Sequence, residues 1–115
     1  MHKKNPAPVE ALSHRIEQAK QFIETNYYRD ISLDVIAAAA HLSKAHLTRK
    51  FKETYQLTPH QYLVEVRLKQ AIALLKTTDL PVNEIVNRIG FYSSSSFIRL
   101  FRIQYGVTPS VFRNQ

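Results

Sequence analysis

The sequence predicts an all-α chain of about seven helices, arranged as two helix-turn-helix subdomains joined by a long linker helix. Three observations carry this. Apolar residues recur every three or four positions, and no long segment alternates apolar with polar. Only two glycines occur in 115 residues. And one phrase is written twice: FKETYQLTPHQY, Phe51 to Tyr62, returns as FRIQYGVTPSVF, Phe101 to Phe112, with Phe, a basic residue, Tyr, an aliphatic, Thr-Pro and an aromatic at the same spacing.

Residues 1–10 read as a disordered arm held extended by Pro6 and Pro8. Leu12, Ile16, Ala19, Ile23 and Tyr27 then mark one face of a first helix. Ser32 caps a second helix, Leu33 to about Ala40, with Leu33, Ile36 and Ala37 inward. His41-Leu42 makes a turn, and a positive φ at His41 would cost about 1 kcal/mol. Ser43 caps a third helix, Lys44 to Tyr55. Thr58-Pro59 supplies a capping hydroxyl and a proline at the first helical position, opening a long helix to about Lys76. The pattern restarts at Pro81, with a short helix to about Ile89 and Ile85 and Ile89 inward. Gly90-Phe91 makes the turn, Ser93 caps a helix to Tyr105, and Thr108-Pro109 opens a last turn ending near Arg113. Ile36 and Ile85 correspond at a shift of 49 residues; Leu47/Phe97, Arg49/Arg99, Phe51/Phe101 and Tyr55/Tyr105 correspond at 50. A short helix, tight turn and longer helix, duplicated, is a helix-turn-helix written twice. The expected organisation is an arm over 1–10, a first unit over 11–58, a linker helix over 59–77 and a second unit over 78–115.

Sixteen Lys and Arg against nine Asp and Glu give a net charge of +7. That excess points to a polyanionic partner, nucleic acid or an anionic surface. No apolar run approaches the ~20 residues of a membrane helix. The N-terminus has no apolar segment after its basic residues, so it is not a secretory signal, and a cytoplasmic location is expected. With no Cys, disulfides and thiolate metal sites are excluded. His41, His46 and His60 have no spacing that brings two of them and a third ligand together, so no metal is expected. Nothing resembles a nucleophile elbow, a phosphate-cradling glycine loop or an acid–base carboxylate pair, so neither catalysis nor a cofactor is expected.

The helical period sorts the faces. On the third helix Leu47, Phe51 and Thr54 cluster on one side, and Ala45, Thr48, Arg49 and Lys52 on the other. In the second copy Phe97, Leu100 and Phe101 face inward, Ser95, Arg99 and Arg102 lie opposite, and Ile98 sits at the edge. Each outward face has small residues at the helix start and Arg one turn further in. A helix entering the major groove needs that order: a slim end, backbone N–H groups for phosphate and Arg for guanine O6 and N7. The Ser93–Ser96 run belongs to such a helix start, since it lies between Gly90-Phe91 and a Phe-x-x-x-Phe helix. Lys44, Lys50, Lys52, Arg67, Arg88 and Arg102 are expected to meet phosphates.

From about Leu12 to Arg113 the sequence resembles the DNA-binding domain of the AraC/XylS family of bacterial transcription regulators. The most specific part is EIVNRIGFYSSSSFIRLFRIQYGVTPSVFR, Glu84 to Arg113, with its Gly-Phe turn, Phe-x-Arg-x-Phe and late Pro-x-x-aromatic-Arg. The first copy, ISLDVIAAAAHLSKAHLTRKFKETYQLTPHQYL, is similar in its Leu-Ser, His-Leu and Arg-x-Phe-Lys. It departs at His41, where the family favours Gly. The resemblance implies seven helices and two recognition helices inserted into successive major grooves at a promoter. It implies base reading by Ala45, Thr48 and Arg49 in the first unit and by Ser94, Ser95, Ile98 and Arg99 in the second. A linker of about 18 residues, ~27 Å long, suits grooves ~34 Å apart on one face of DNA. Ala45, Ser94, Ser95 and Ile98 cannot make bidentate contacts and suit thymine methyls, water bridges or close backbone approach.

The expected partner is therefore double-stranded DNA, with RNA polymerase a further one by resemblance and no membrane. Two forms are open. One is a complete small regulator, as Met1 suggests; the other is the C-terminal domain of a longer protein. Likewise the chain would act as a monomer or as a domain of a larger, dimeric regulator. The alternative reading, a helical protein-interaction or anionic-surface-binding module without sequence-specific DNA binding, would need a broad exposed apolar stripe that the pattern does not show.

Overall fold

Helix starts and stops in this chain are set by local chemistry that can be followed residue by residue. The computed structural model describes residues 8–115, with side chains from residue 11, so residues 1–7 of the expected arm lie outside the described residues. Seven helices are present among them: α1 (Pro8–Asn26), α2 (Leu33–Ala39), α3 (Lys44–Tyr55), α4 (Pro59–Thr77), α5 (Val82–Arg88), α6 (Ser94–Tyr105) and α7 (Pro109–Arg113). Pro8, read as part of the arm, is the first residue of α1, where proline's missing N–H costs nothing. Ser32, Ser43, Ser93 and Thr108 each accept a hydrogen bond from the backbone N–H three residues on. At α4 the bond is reciprocal: Gln61 N–H donates to Thr58 Oγ1 at 3.1 Å, and Thr58 N–H donates to Gln61 Oε1 at 2.9 Å. Pro81 caps α5 from outside the helix and without a side-chain bond. Tyr27, expected on the face of α1, lies just beyond the end of that helix.

The chain forms two compact units. The first contains α1 and Ile31–Tyr62; the second contains Tyr27–Asp30 and Leu63–Gln115. In the first unit α1 packs on α2 and α3, burying Ile16, Ala19, Ile23, Ile36, Ala37, Leu47 and Phe51. In the second, Leu68, Ala71, Leu75, Ile85, Val86, Ile89, Phe91, Phe97 and Phe101 form one core. The repeated phrase builds the same ring cluster in both. Phe51 lies 4.8 Å from Tyr55 and 5.8 Å from Tyr62; Phe101 lies 4.7 Å from Tyr105 and 5.7 Å from Phe112. Both Phe rings are fully buried, and their contacts are in the tilted and edge-on range that aromatic quadrupoles favour. Burial, followed by Glu17 and Glu24, raises the Tyr55 pKa; burial, followed by Glu65, raises that of Tyr105. Both phenols stay neutral.

The turns repeat as well. In the first, His41 N–H donates to Ala38 O and Leu42 N–H to Ala37 O; in the second, Gly90 N–H donates to Asn87 O and Phe91 N–H to Val86 O. Both are paired C-terminal closures that require one left-handed residue. His41 fills that place at φ 56° and Gly90 at φ 78°. A second left-handed position ends each longer helix, taken by Gln56 at φ 62° and Gly106 at φ 82°. Both glycines of the chain thus serve the second unit, while the first uses His and Gln.

Gly90 is needed for a further reason. A Cβ there would stand 2.8 Å from Tyr27 O and from the Tyr28 carbonyl carbon and oxygen. The Tyr27–Asp30 strap presses against this turn, and Arg67 holds it from the α4 side. Arg67, only 6% exposed, donates from Nε to Tyr27 O at 2.8 Å and from Nη2 to Arg29 O at 2.9 Å. Arg113 clips the second loop in the same way, donating to Leu80 O at 2.6 Å, Thr78 O at 3.2 Å and Leu75 O at 3.4 Å.

Two outcomes follow for stability. Gly90→Ala combines a left-handed penalty with a backbone clash and should destabilise by about 2–4 kcal/mol. Gly106→Ala, with nothing within 4 Å of the new Cβ, should cost only about 1 kcal/mol; equal denaturation midpoints for the two variants would contradict the strap contact. Arg67→Met should cost about 2–5 kcal/mol, because two carbonyls lose their charged donor, as a urea titration would measure.

Candidate nucleic-acid interface

The outward faces of α3 and α6 are fixed by what each helix buries. Leu47 and Phe51 anchor α3, and Phe97 and Phe101 anchor α6. With those side chains inward, Ala45, Arg49 and Lys52 are exposed on α3, and Thr48 is half-buried; on α6, Ser95, Ile98, Arg99 and Arg102 are exposed, and Ser94 is half-buried. Within each unit, the structure brings the proposed base readers onto one helix face. The Arg49 and Arg99 guanidiniums make no hydrogen bond or ion pair with any described residue. Each is a five-donor fork held out on a rigid helix with its donors unspent.

The helix starts are equally exposed. Ser43 and Ser93 satisfy only the third N–H of α3 and α6, at 3.2 Å in both cases. The first N–H groups and the positive end of the helix dipole are left for an anion.

Several basic side chains surround these faces. Lys44 pairs with Asp34 on α2 at 3.3 Å, Lys50 with Glu53 at 3.1 Å, and Lys52 donates to Gln56 O at 3.1 Å. These are surface contacts worth about 0–1 kcal/mol, and a phosphate can displace them. Arg88 and Arg102 are exposed. Arg67 requires correction. The sequence reading set it among the phosphate contacts, but its guanidinium is buried and committed to Tyr27 and Arg29. Burial lowers its pKa, and Asp30 works against that shift. The signal was present: Arg67 steps by four with Leu63, Ala71 and Leu75, the buried stripe of α4, but its charge argued for the surface.

Thr54 is a second correction. It was expected on the buried side of α3 but is exposed, its hydroxyl donating to Lys50 O at 2.7 Å. The buried stripe of α3 is limited to Leu47 and Phe51. Sequence reasoning also missed an open depression of about 610 Å³ beside α6, lined by Ser95, Ile98, Arg99, Arg102, Ile103 and Thr108. The exposed Ile103 was the available signal. Among the described residues, no helix is long and apolar enough to cross a membrane, and no cluster of His, Asp and Glu could hold a metal ion.

Comparison with known proteins agrees with this geometry. A family model described as a helix-turn-helix domain matches residues 36–115. The Msm operon regulatory protein of Streptococcus mutans is 31% identical over 100 residues, covering 87% of this chain and 36% of that protein. The chain spans about a third of the length of the first curated relatives it matches. Among solved structures, the DNA-binding domain of AdpA in complex with a target DNA superposes with a TM-score of 0.83 at 28% identity, covering 87% of this chain and 90% of that one. The C-terminal domain of AraT, a response regulator from Geobacillus stearothermophilus, gives 0.84 at 29% identity, covering 90% and 86%. With two capped helices presenting matched arginines, and sequence and fold shared across most of its length, the chain belongs to the AraC-type helix-turn-helix family of DNA-binding transcription regulators.

Proposed function

We propose that this chain is the promoter-reading part of a bacterial regulator, with α3 and α6 inserted into successive major grooves. The observation that carries this reading is the recurrence of an uncommitted arginine, Arg49 and Arg99, one turn into each serine-capped helix. In this arrangement Ala45, Thr48 and Arg49 read one half of the site, and Ser94, Ser95, Ile98 and Arg99 read the other. Lys44, Lys50, Lys52, Arg88, Arg102 and the two helix N-termini meet phosphates. Arg67 drops out of that set. The likeness to a domain solved on its target DNA supports duplex DNA as the partner. Contact with RNA polymerase at the promoter, action in the cytoplasm, and the absence of catalysis or a cofactor complete the proposal.

Selection of binding sites from random duplex DNA tests it. Arg49→Ala and Arg99→Ala should leave the thermal melt unchanged, since both side chains are exposed. Each should relax base preference by ~1–3 kcal/mol at its own half of the site, with the two losses about one DNA turn apart. Lys52→Ala should weaken all sequences alike. Uniform loss with either Arg variant would assign that arginine to phosphate, and relaxation at the same base pairs would rule out two-groove binding.

Affinity should also fall steeply with salt. Five basic side chains at phosphates imply a log–log slope near −4 to −5, at about −0.9 per contact. A slope near zero in a fluorescence titration would refute duplex DNA as the partner.

A further inference from the structure

The duplication provides an internal control for α6. Shifted by 50 residues, the lining of its depression falls on the equivalent positions of the first unit. Ser95 stands for Ala45, Arg99 for Arg49, Arg102 for Lys52 and Thr108 for Thr58, so size or charge is kept at four positions. Two positions change character. Ile98 replaces Thr48, and Ile103 replaces Glu53.

Neither isoleucine is absorbed by the core. Ile98 is 38% exposed and Ile103 71% exposed. A solvated helix face would carry polar residues there, as α3 does. Ile98 instead stands next to the uncommitted Arg99 and one turn from Arg102, so whatever covers it must be apolar at one point and anionic or acceptor-rich around it. Among the groups a base pair presents in the major groove, only the thymine 5-methyl is apolar, and it lies among carbonyl and ring-nitrogen acceptors with phosphates beyond. A purely apolar partner would leave both guanidiniums desolvated and unpaired.

We infer that Ile98 is a specificity-determining residue that packs on the 5-methyl group of a thymine beside the guanine read by Arg99. The inference rests on the proposed insertion of α6 into the major groove. It deepens that reading by naming the base and the atom that the second half-site must offer. Thr48 gives the first half-site a hydroxyl at the equivalent place.

Deoxyuridine tests this directly, because it pairs like thymidine and lacks only the methyl group. The selected duplex is prepared with each thymine replaced in turn, and the half-site of the second unit is located by its response to Arg99→Ala. One such replacement in that half should raise Kd about fourfold, which corresponds to the ~0.8 kcal/mol of one methyl group returned to water. Ile98→Ser, an exposed change that leaves the fold intact, should bind the thymine and uracil duplexes equally while keeping its response to the guanine partner of Arg99. If no replacement in that half weakens binding, or if Ile98→Ser stays as sensitive as the parent, the inference is overturned although DNA reading stands. If selection returns no preferred sequence at all, the proposed function fails and takes the inference with it.

Discussion

One left-handed residue between two helices governs where each outward face points. After α2 and after α5 the backbone folds back so that two successive N–H groups reach carbonyls of the last helical turn, and only a positive φ allows this. The direction in which α3 or α6 departs is set at that residue. Leu47 and Phe51, or Phe97 and Phe101, then fix the rotation of the helix by entering the core. Arg49 and Arg99 face outward as a consequence of those two local constraints. Neither arginine needs a partner of its own to be held there.

The two copies meet the same constraint by different means. His41 accepts the left-handed conformation with its side chain exposed. The second copy has no such freedom, because the Tyr27 and Tyr28 backbone occupies the place a side chain would take. Glycine there is demanded by space as much as by torsion. The strap that imposes this is secured by Arg67, a buried cation satisfied by carbonyl oxygens, with Asp30 near enough to offset part of the burial. Arg113 repeats the device on the loop after α4. Guanidinium suits this role because its planar fork reaches two carbonyls of one loop at once.

Most of the helical order was legible in the sequence because it rests on local signals. Serine and threonine caps, the Thr-Pro starts and the three-four period define α3, α6 and α7, and the positive φ at His41 follows from its alignment with Gly90. The outward arginines were legible for the same reason, since helical phase alone places them. What escaped depends on contacts between residues far apart in sequence. Arg67 does lie in phase with Leu63, Ala71 and Leu75, but the loop some 40 residues earlier whose carbonyls accept from it has no local signal. The role of Arg113 was hidden likewise. Gln56 was overlooked although the same alignment, at a shift of 50 residues, sets it against Gly106, the left-handed stop of α6.

The Tyr27–Asp30 strap also bears on how this duplicated protein can be taken apart. It lies in the chain between α1 and α2, yet belongs to the second unit. Spatial membership therefore interleaves with chain order. A polypeptide beginning at Leu63 would carry all three helices α5, α6 and α7 but lose the carbonyls that satisfy Arg67. The repeat boundary seen in the sequence is not a seam along which the molecule can be cut. The second half, inherited or engineered alone, would have to replace the stretch of chain that precedes α2.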